Sequence, residues 1–172
     1  TATYDYFGGS IAMGDLDGDG YDEALITERG YNGGYGAVFI FQGSPTAMDG
    51  DYSASSDAWA ALEGQSTEYL GGYSLDTGDV DSDGNGDVAV GAYAGNSYNG
   101  ALYLFMGPLT SGTTDSSTAF SMVEGGGSYD YLGAYGTTIS DMNGDGHDDL
   151  VGTEYYGSGD LGHVFIFNGG AM

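Results

Sequence analysis

Residues 14–26 read GDLDGDGYDEALI, and the same pattern returns as GDVDSDGNGDVAV at 78–90 and as SDMNGDGHDDLV at 140–151. The first aspartates of these three acidic segments are 64 and 62 residues apart. A second pattern recurs with the same spacing, as GAVFIFQG at 36–43, GALYLFMG at 100–107 and GHVFIFNG at 162–169. Two independent patterns with one period indicate an internal repeat of about sixty residues.

A third pattern sets the outer limit of each repeat. It occurs twice, as AWAALEG at 58–64 and AFSMVEG at 119–125, and a further copy would fall beyond Met172. We therefore predict that residues 1–172 form one segment with repeats at about 1–64, 65–125 and 126–172, the last without its outer strand. The Thr- and Ser-rich residues 110–118 are interpreted as a surface loop.

The sequence pattern of a complete repeat predicts four short strands and no helix. The first strand precedes the acidic segment, the second follows it, and the two later patterns are the third and fourth. The predicted first strands are 11–13, 73–75 and 137–139, and the predicted second strands are 24–26, 88–90 and 150–151.

The third strands are apolar at every position, as in residues 38–41, 102–105 and 164–167. Successive side chains of a strand point to opposite faces of the sheet, so both faces should be buried. A lone β-sandwich sheet with an accidental repeat would instead show polar alternation on one side. The prediction is an all-β protein, a β-propeller of four-stranded antiparallel blades with three blades in this chain.

The acidic segments place oxygen-bearing side chains at positions 1, 3, 5 and 9 of a loop, with a glycine at position 6. Alternate side chains of a curled loop point inward, and the backbone carbonyl of position 7 can add a further oxygen. Hard oxygen ligands suit calcium better than zinc or copper, and magnesium prefers a smaller shell with retained waters. We predict three Ca²⁺ sites, one per repeat. Their ligands are Asp15, Asp17, Asp19, Tyr21 and Glu23; Asp79, Asp81, Asp83, Asn85 and Asp87; and Asp141, Asn143, Asp145, His147 and Asp149.

Neither an EF-hand nor a set of plain hairpin turns fits the acidic segments as well. An EF-hand requires a bidentate glutamate at position 12 and a helix on each side, whereas position 12 here is Ile26, Val90 or Gly152. Asp-Gly pairs that only form hairpin turns would explain the glycines. They would not explain why three or four acidic residues converge in each loop.

The charge balance restricts the partners. The chain has 26 acidic residues and one basic residue, Arg29, which gives a formal net charge of −25. Nucleic acids and anionic membrane surfaces are disfavoured as partners, because both are bound through Lys and Arg. Cysteine is absent, and no apolar stretch is long enough to span a bilayer. Cations are the expected ligands.

The chain resembles the FG-GAP repeats of integrin α-subunit β-propellers. Phe7-Gly8 matches the leading FG, residues 69–71 and 131–133 are looser versions, and Gly91-Ala92-Tyr93 stands where the family has GAP. The proline of GAP is replaced in all three repeats, by Arg29, Tyr93 and Tyr155. The resemblance implies a ring of usually seven blades with calcium between the first and second strands, an extracellular or cell-surface location, and a role in adhesion or binding. Three blades would then be part of a larger ring or be completed by another copy.

Catalysis has little support in the sequence. His147 lies inside the third acidic loop, His163 begins a strand, and no Gly-x-Ser-x-Gly motif occurs. A non-catalytic part of a polysaccharide-degrading enzyme is a remote alternative. The stronger alternative is a carbohydrate-binding module, because tyrosines recur between the second and third strands, namely Tyr31, Tyr35, Tyr93, Tyr98, Tyr155 and Tyr156. We expect a non-enzymatic calcium-binding module in adhesion or structural assembly.

Overall fold

The computed structural model describes residues 5–46, 48–157 and 161–170, and these residues form three β-sheets. The strands in chain order are β1 Phe7–Gly14, β2 Glu23–Glu28, β3 Ala37–Phe41, β4 Ala60–Glu63, β5 Leu70–Gly78, β6 Asp87–Ala92, β7 Ala101–Phe105, β8 Gly112–Asp115, β9 Ser121–Glu124, β10 Thr137–Ser140, β11 Asp149–Glu154 and β12 His163–Phe167. Every predicted strand is confirmed. The all-β class follows from them.

Short helical turns occupy the connections. They are α1 Tyr31–Gly34, α2 Ala54–Asp57, α3 Gly95–Tyr98 and a 3-10 turn at Ser116–Thr118. The prediction of no helix was wrong at these places. Each is a single turn, which tightens a connection without providing the apolar face of a packed helix.

The three sheets follow the repeats, with one exchange between them. The first sheet has the order β1-β2-β3-β4-β8, the second β5-β6-β7-β9 and the third β10-β11-β12. All neighbours are antiparallel except β4 and β8, which pair in parallel. The first strands of successive sheets lie side by side, because β1 contacts β5 and β5 contacts β10.

Strand β8 corrects the loop predicted at residues 110–118. Residues Gly112–Asp115 follow the second sheet's β7 in the chain, yet they pair with β4 of the first sheet, from Ala60 opposite Gly112 to Glu63 opposite Asp115. The edge of β4 offers unpaired backbone donors and acceptors, and a strand from the next repeat satisfies them. Local composition does not reveal this pairing because the partner is about fifty residues away along the chain.

Alternation along the third strands builds the cores between sheets. Val38 and Ile40 of β3 pack in one buried cluster with Tyr103 and Phe105 of β7, so this cluster joins the first and second sheets. The intervening Leu102 and Leu104 of β7 belong to a second cluster that joins the second and third sheets, together with Ile139 and Leu150. All five residues of β3 and of β7 are buried, which confirms the prediction for these two strands.

The same prediction was wrong for β12. Val164 is 63% exposed, and Ile166 and Phe167 are also exposed. The third sheet has the order β10-β11-β12 over the residues that the structure describes, so β12 is its edge strand. Burial of an apolar strand requires a neighbour on each face, and the described residues provide none for 163–167 like those that surround β3 and β7.

Adjacent sheets contact each other at the glycine that precedes the third strand. Gly36 forms a parallel bridge with Leu70 of β5, and Gly100 forms the equivalent bridge with Leu132. Both glycines have φ +80, and a Cβ on either would lie 2.3 Å from the backbone N and O of its leucine partner. Only a residue without a side chain allows this close approach of two backbones.

We expect Gly100→Ala to lower the free energy of unfolding by about 2 kcal/mol or more, because the left-handed backbone is strained for alanine and the methyl group would force the sheets apart. Urea denaturation in calcium-containing buffer measures the change. Gly126→Ala is the control, since its nearest neighbour would be 3.8 Å from the added Cβ. Equal effects of the two substitutions would show that the close backbone approach at Gly100 does not hold the sheets together.

Candidate metal centres

The three acidic loops lie at equivalent places in the sheets. They connect β1 to β2, β5 to β6 and β10 to β11, as predicted. The glycine at position 6 is left-handed in every loop, with φ +90 at Gly20, +90 at Gly84 and +92 at Gly146. The second loop thus follows the same rule as the first and third, and the chain turns sharply at one fixed point.

The aspartate at position 1 organises each loop through backbone hydrogen bonds. Asp15 accepts from the N–H of Gly18 at 2.9 Å with Oδ1 and from the N–H of Gly20 at 2.9 Å with Oδ2. Asp79 accepts from Gly84 N–H at 2.9 Å, and Asp141 accepts from Gly146 N–H at 3.0 Å. These bonds curl the backbone around the first carboxylate.

Positions 3 and 5 extend this pattern. In the first loop Asp17 accepts from Asp19 N–H at 3.2 Å, and Asp19 accepts from Tyr21 N–H at 2.9 Å. The same two bonds recur in the other loops, from Asp83 N–H to Asp81, Asn85 N–H to Asp83, Asp145 N–H to Asn143 and His147 N–H to Asp145. One backbone geometry therefore positions alternate side chains in all three loops.

Two loops bring three carboxylates into one small space. Asp15, Asp17 and Asp19 each place an oxygen within 4.8 Å of the others, and Asp79, Asp81 and Asp87 do the same. Glu23 and Asp83 are outside these trios. Over the described residues the third loop forms no such trio of acidic side chains, and its position 3 is an amide, Asn143.

The residues at position 9 have a role that the sequence did not reveal. Glu23, Asp87 and Asp149 are almost completely buried. Each accepts one hydrogen bond from the backbone at position 2 and one from the glycine that ends the third-strand pattern. The bonds to Asp87 come from Val80 N–H and Gly107 N–H, both at 2.8 Å, and the equivalent bonds come from Leu16 and Gly43 to Glu23 and from Met142 and Gly169 to Asp149.

Position 9 therefore ties the acidic loop to the end of the third strand. The recurrence of glycine at 43, 107 and 169 was the available signal. A Cβ at Gly107 would meet Gly86 O at 2.7 Å, so the chain passes close to the loop at this point.

Burial changes the acidity of these carboxyl groups. Desolvation raises the pKa of Asp87 to about 6, and the negative charges of Asp81 and Asp79 add smaller contributions. Desolvation also raises the pKa of Glu23. By contrast, the backbone N–H of His147 lowers the pKa of the exposed Asp145. A positive charge in the loop would favour the ionised form of a buried carboxyl group.

The residues at position 7 have their backbone N–H groups in the loop network, and two of their side chains make further hydrogen bonds. The Asn85 side chain donates to Asp83 at 2.9 Å, and His147 Nδ1 is 2.8 Å from the Ser82 hydroxyl oxygen. That last contact links the second loop to the third. The loops are also linked through their backbones, because Gly86 N–H donates to Asp15 O at 2.7 Å and Asp148 N–H donates to Asp79 O at 3.3 Å.

Comparisons with known proteins point to one repeat type. A family model described as FG-GAP repeat matches residues 7–41 and 71–105, which contain the first two acidic loops. Integrin alpha-PS2 of Drosophila melanogaster is 32% identical over 179 residues, covering 97% of this chain and 12% of that protein. Integrin alpha-5 of Xenopus laevis is 28% identical over 179 residues, covering 98% of this chain and 16% of that protein.

The chain is also similar to part of an enzyme. Phosphatidylinositol-glycan-specific phospholipase D of Dictyostelium discoideum is 29% identical over 170 residues, covering 86% of this chain and 18% of that protein. The chain thus spans less than a fifth of each of these relatives. In the described part of the chain, no helix is long and apolar enough to cross a membrane.

We expect Asp87→Asn to lower the free energy of unfolding by about 1–3 kcal/mol in chelator, because an amide cannot accept hydrogen bonds with both of its heteroatoms. Either the buried N–H of Val80 or the partly buried N–H of Gly107 would lose its partner. Urea denaturation measures the change, and Asp49→Asn at an exposed position is the control. If the two variants are equally stable, the buried carboxylate does not tie the loop to the third strand.

Proposed function

Because the chain contains FG-GAP repeats similar to those of integrin α-subunits, we propose that it is a calcium-binding, non-enzymatic module of an extracellular or cell-surface protein that acts in adhesion or structural assembly. The main support is the repeated geometry of the acidic loops. Three stretches of different sequence curl in the same way, and two of them gather three carboxylates within 4.8 Å.

The residues fit calcium. In each loop, positions 1, 3, 5 and 9 would provide side-chain oxygens and position 7 a backbone carbonyl, which gives the fifteen ligands predicted from the sequence. All donors are hard oxygens, as calcium prefers. The bound ion would neutralise carboxylates that repel one another. Asn143 lowers the negative charge of the third loop, so this loop should bind calcium more weakly than the other two.

The proposed architecture is a segment of a β-propeller with repeats at 1–64, 65–125 and 126–172. The side-by-side first strands β1, β5 and β10 support a radial arrangement of the sheets. The exposed apolar residues of β12 support a further sheet on that side, from a longer chain or from another copy. An extracellular location is consistent with sites that fill at about millimolar calcium.

The histidines support a non-catalytic role. His163 Nδ1 lies 3.1 Å from Glu154 Oε2, and His147 contacts Ser82, so both rings have structural partners. The match to the phospholipase D covers 18% of that enzyme, and its activity is not assigned to this chain.

We predict that native mass spectrometry in calcium detects three bound ions, and that Asp15→Asn combined with Asp17→Asn removes one. Neutral amides keep the volume of the carboxylates but not their charge, so the first loop should lose its ion. The matched control combines Asp49→Asn with Asp51→Asn, two exposed carboxylates outside the loops. A stoichiometry that stays the same in the loop variant would refute the assignment of Asp15 and Asp17.

We also predict that beads coated with the chain adhere to one another or to extracellular-matrix surfaces in about millimolar calcium and detach after chelation, because loaded loops hold the sheets in their binding geometry. A variant with the Asp15, Asp17, Asp79 and Asp81 side chains changed to amides should adhere weakly in both conditions. Adhesion that is absent in calcium from all of these surfaces, with three ions bound, would reject the adhesive role and leave the calcium sites intact.

A further inference from the structure

The fourth strands of the first two repeats, β4 and β9, have different surroundings. They lie in equivalent sequences, AWAALEG at 58–64 and AFSMVEG at 119–125. β4 pairs with β3 on one side and with β8 on the other, whereas β9 pairs with β7 alone over the described residues. We call the outer side of Ser121–Glu124, which faces away from β7, the β9 edge.

The β9 edge is exposed where the equivalent residues of β4 are buried. Ala61 of β4 is buried beside β8, whereas its equivalent in β9, Met122, is 47% exposed. Phe120, which directly precedes β9, is also exposed. An uncovered edge strand presents backbone N–H and C=O groups that another strand can pair with. Pairing would also remove the exposed apolar side chains from water.

Backbone hydrogen bonds show that β4 and β9 direct their groups in the same way. Gly64 N–H donates to Gly36 O at 3.0 Å in the first sheet, and β8 pairs with the opposite side of β4. In the second sheet, Gly125 N–H donates to Gly100 O at 3.0 Å. Alternation along β9 then directs the backbone groups of Met122 away from β7. The β9 edge therefore offers the pattern of donors and acceptors that β8 uses on β4.

A buried carboxylate lies beside the end of each of these strands. Glu68 and Glu154 are almost completely buried, although they come from different places in the repeat. A Cβ at Gly64 would lie 2.9 Å from Glu68 Oε1, and a Cβ at Gly125 would lie 3.3 Å from Glu154 Oε1. Each carboxylate thus lies next to the glycine that follows the fourth strand.

The two carboxylates differ in the hydrogen bonds that they accept. Glu68 Oε1 accepts from Gln65 N–H at 3.1 Å and from the Ser116 hydroxyl at 2.9 Å. Ser116 is buried and directly follows β8, so this bond anchors the end of the added strand. Glu154 Oε1 accepts from Gly126 N–H at 3.0 Å, and among the described residues no hydroxyl takes the place that Ser116 has at Glu68.

Space for an anchoring residue is present at Glu154. A cavity of about 430 Å³ lies there, lined also by Glu124, Gly126 and Asp130. At the equivalent cavity beside Glu68, Ser116 forms part of the wall. The second sheet therefore has both features that hold β8 on the first sheet, an open strand edge and a buried acceptor at its end.

We propose that the β9 edge binds an extended segment of a partner protein, rich in small and hydroxyl-bearing residues, that pairs in parallel with β9 and donates a serine hydroxyl to Glu154. Residues 112–116, which read GTTDS, show such a segment in place on β4. Threonine favours the extended backbone that this pairing needs. A second copy of the chain is the poorer occupant, because two molecules with a formal charge of −25 repel each other. This inference goes beyond the proposed function and uses none of the acidic loops.

The probe is a fluorescent, end-capped peptide with the sequence of residues 108–118, PLTSGTTDSST, and its binding to the calcium-loaded chain is followed by anisotropy. In the first sheet Gly112 N–H donates to Trp59 O at 3.1 Å, and alternate residues of a strand face the same neighbour. We expect N-methylation of the peptide at Gly112 and Thr114 to weaken binding by at least about tenfold.

N-methylation at Thr113 and Asp115 is the matched control, because their N–H groups face away from the neighbouring strand in the same register. It should change the affinity by less than about threefold. Absence of binding by the parent peptide, or equal losses from the two N-methylated peptides, would overturn the proposal.

Disulfide cross-linking locates the bound peptide. The chain has no cysteine, so Met122→Cys introduces a single thiol at an exposed position of the β9 edge. Thr113 lies opposite Ala61 in the first sheet, so a peptide carrying Thr113→Cys should place its thiol opposite Met122→Cys and react with it. Tyr52→Cys is the control, since Tyr52 is exposed and contacts Phe41 of the first sheet. It should react at least about tenfold more slowly.

Equal reaction of the two cysteine variants with the peptide would show that the peptide does not bind at the β9 edge. Chains carrying Met122→Cys that cross-link to each other in preference to the peptide would assign the edge to a second copy and reject the partner segment.

The peptide variant Ser116→Ala tests the anchor. It should bind about fivefold more weakly than the parent peptide, because one hydrogen bond to a buried carboxylate is lost. Ser111→Ala is the matched control, since Ser111 is exposed and precedes the paired residues. Equal affinities of these two peptides would overturn the assignment of Glu154 as the acceptor.

Discussion

The structure depends on holding carboxylates close together without a neighbouring basic side chain. Asp15, Asp17 and Asp19 converge within 4.8 Å, and the chain has only Arg29 to oppose 26 acidic residues. Backbone N–H groups provide the opposing partial charges, since the glycine-rich turn points them at the first carboxylate. The loop that concentrates the negative charge is therefore also the hairpin that sets the register of the first two strands. A cation in this place would strengthen an arrangement that the backbone already favours.

This constraint extends through the rest of each repeat. The buried residue at position 9 connects the loop to the glycine after the third strand, and in the first two repeats the glycine before the third strand bridges to the next sheet. A change in an acidic loop can therefore reach the junction between sheets through a few covalent and hydrogen-bonded steps. Direct contacts between loops, such as Gly86 N–H to Asp15 O at 2.7 Å, provide a shorter route. Neighbouring loops are therefore in direct backbone contact.

The sequence predicted the parts of the structure that depend on local patterns. The acidic loops, the strands on each side of them and the period of the repeat were all visible, because turn glycines and alternating ligands have fixed spacings. The sequence did not predict the features that depend on contacts between residues distant along the chain. Strand β8 pairs with the edge of β4, which is distant along the chain, and Val164 is exposed because no further sheet among the described residues covers the faces of β12. The six tyrosines assigned to connections do lie there. Four of them, Tyr93, Tyr98, Tyr155 and Tyr156, contact tyrosines from other parts of the chain, and these contacts depend on how the three sheets stand beside one another.

The two ends of the sheets carry different side-chain chemistry. At one end, carboxylates held by backbone N–H groups surround a small space, as Asp15, Asp17 and Asp19 do. At the other, rigid aromatic faces contact the guanidinium of Arg29, a flat and weakly hydrated cation. The carboxylate oxygens and the aromatic faces therefore lie at opposite ends of the same sheets, because the first and second strands are antiparallel and each acidic loop joins them at one end only.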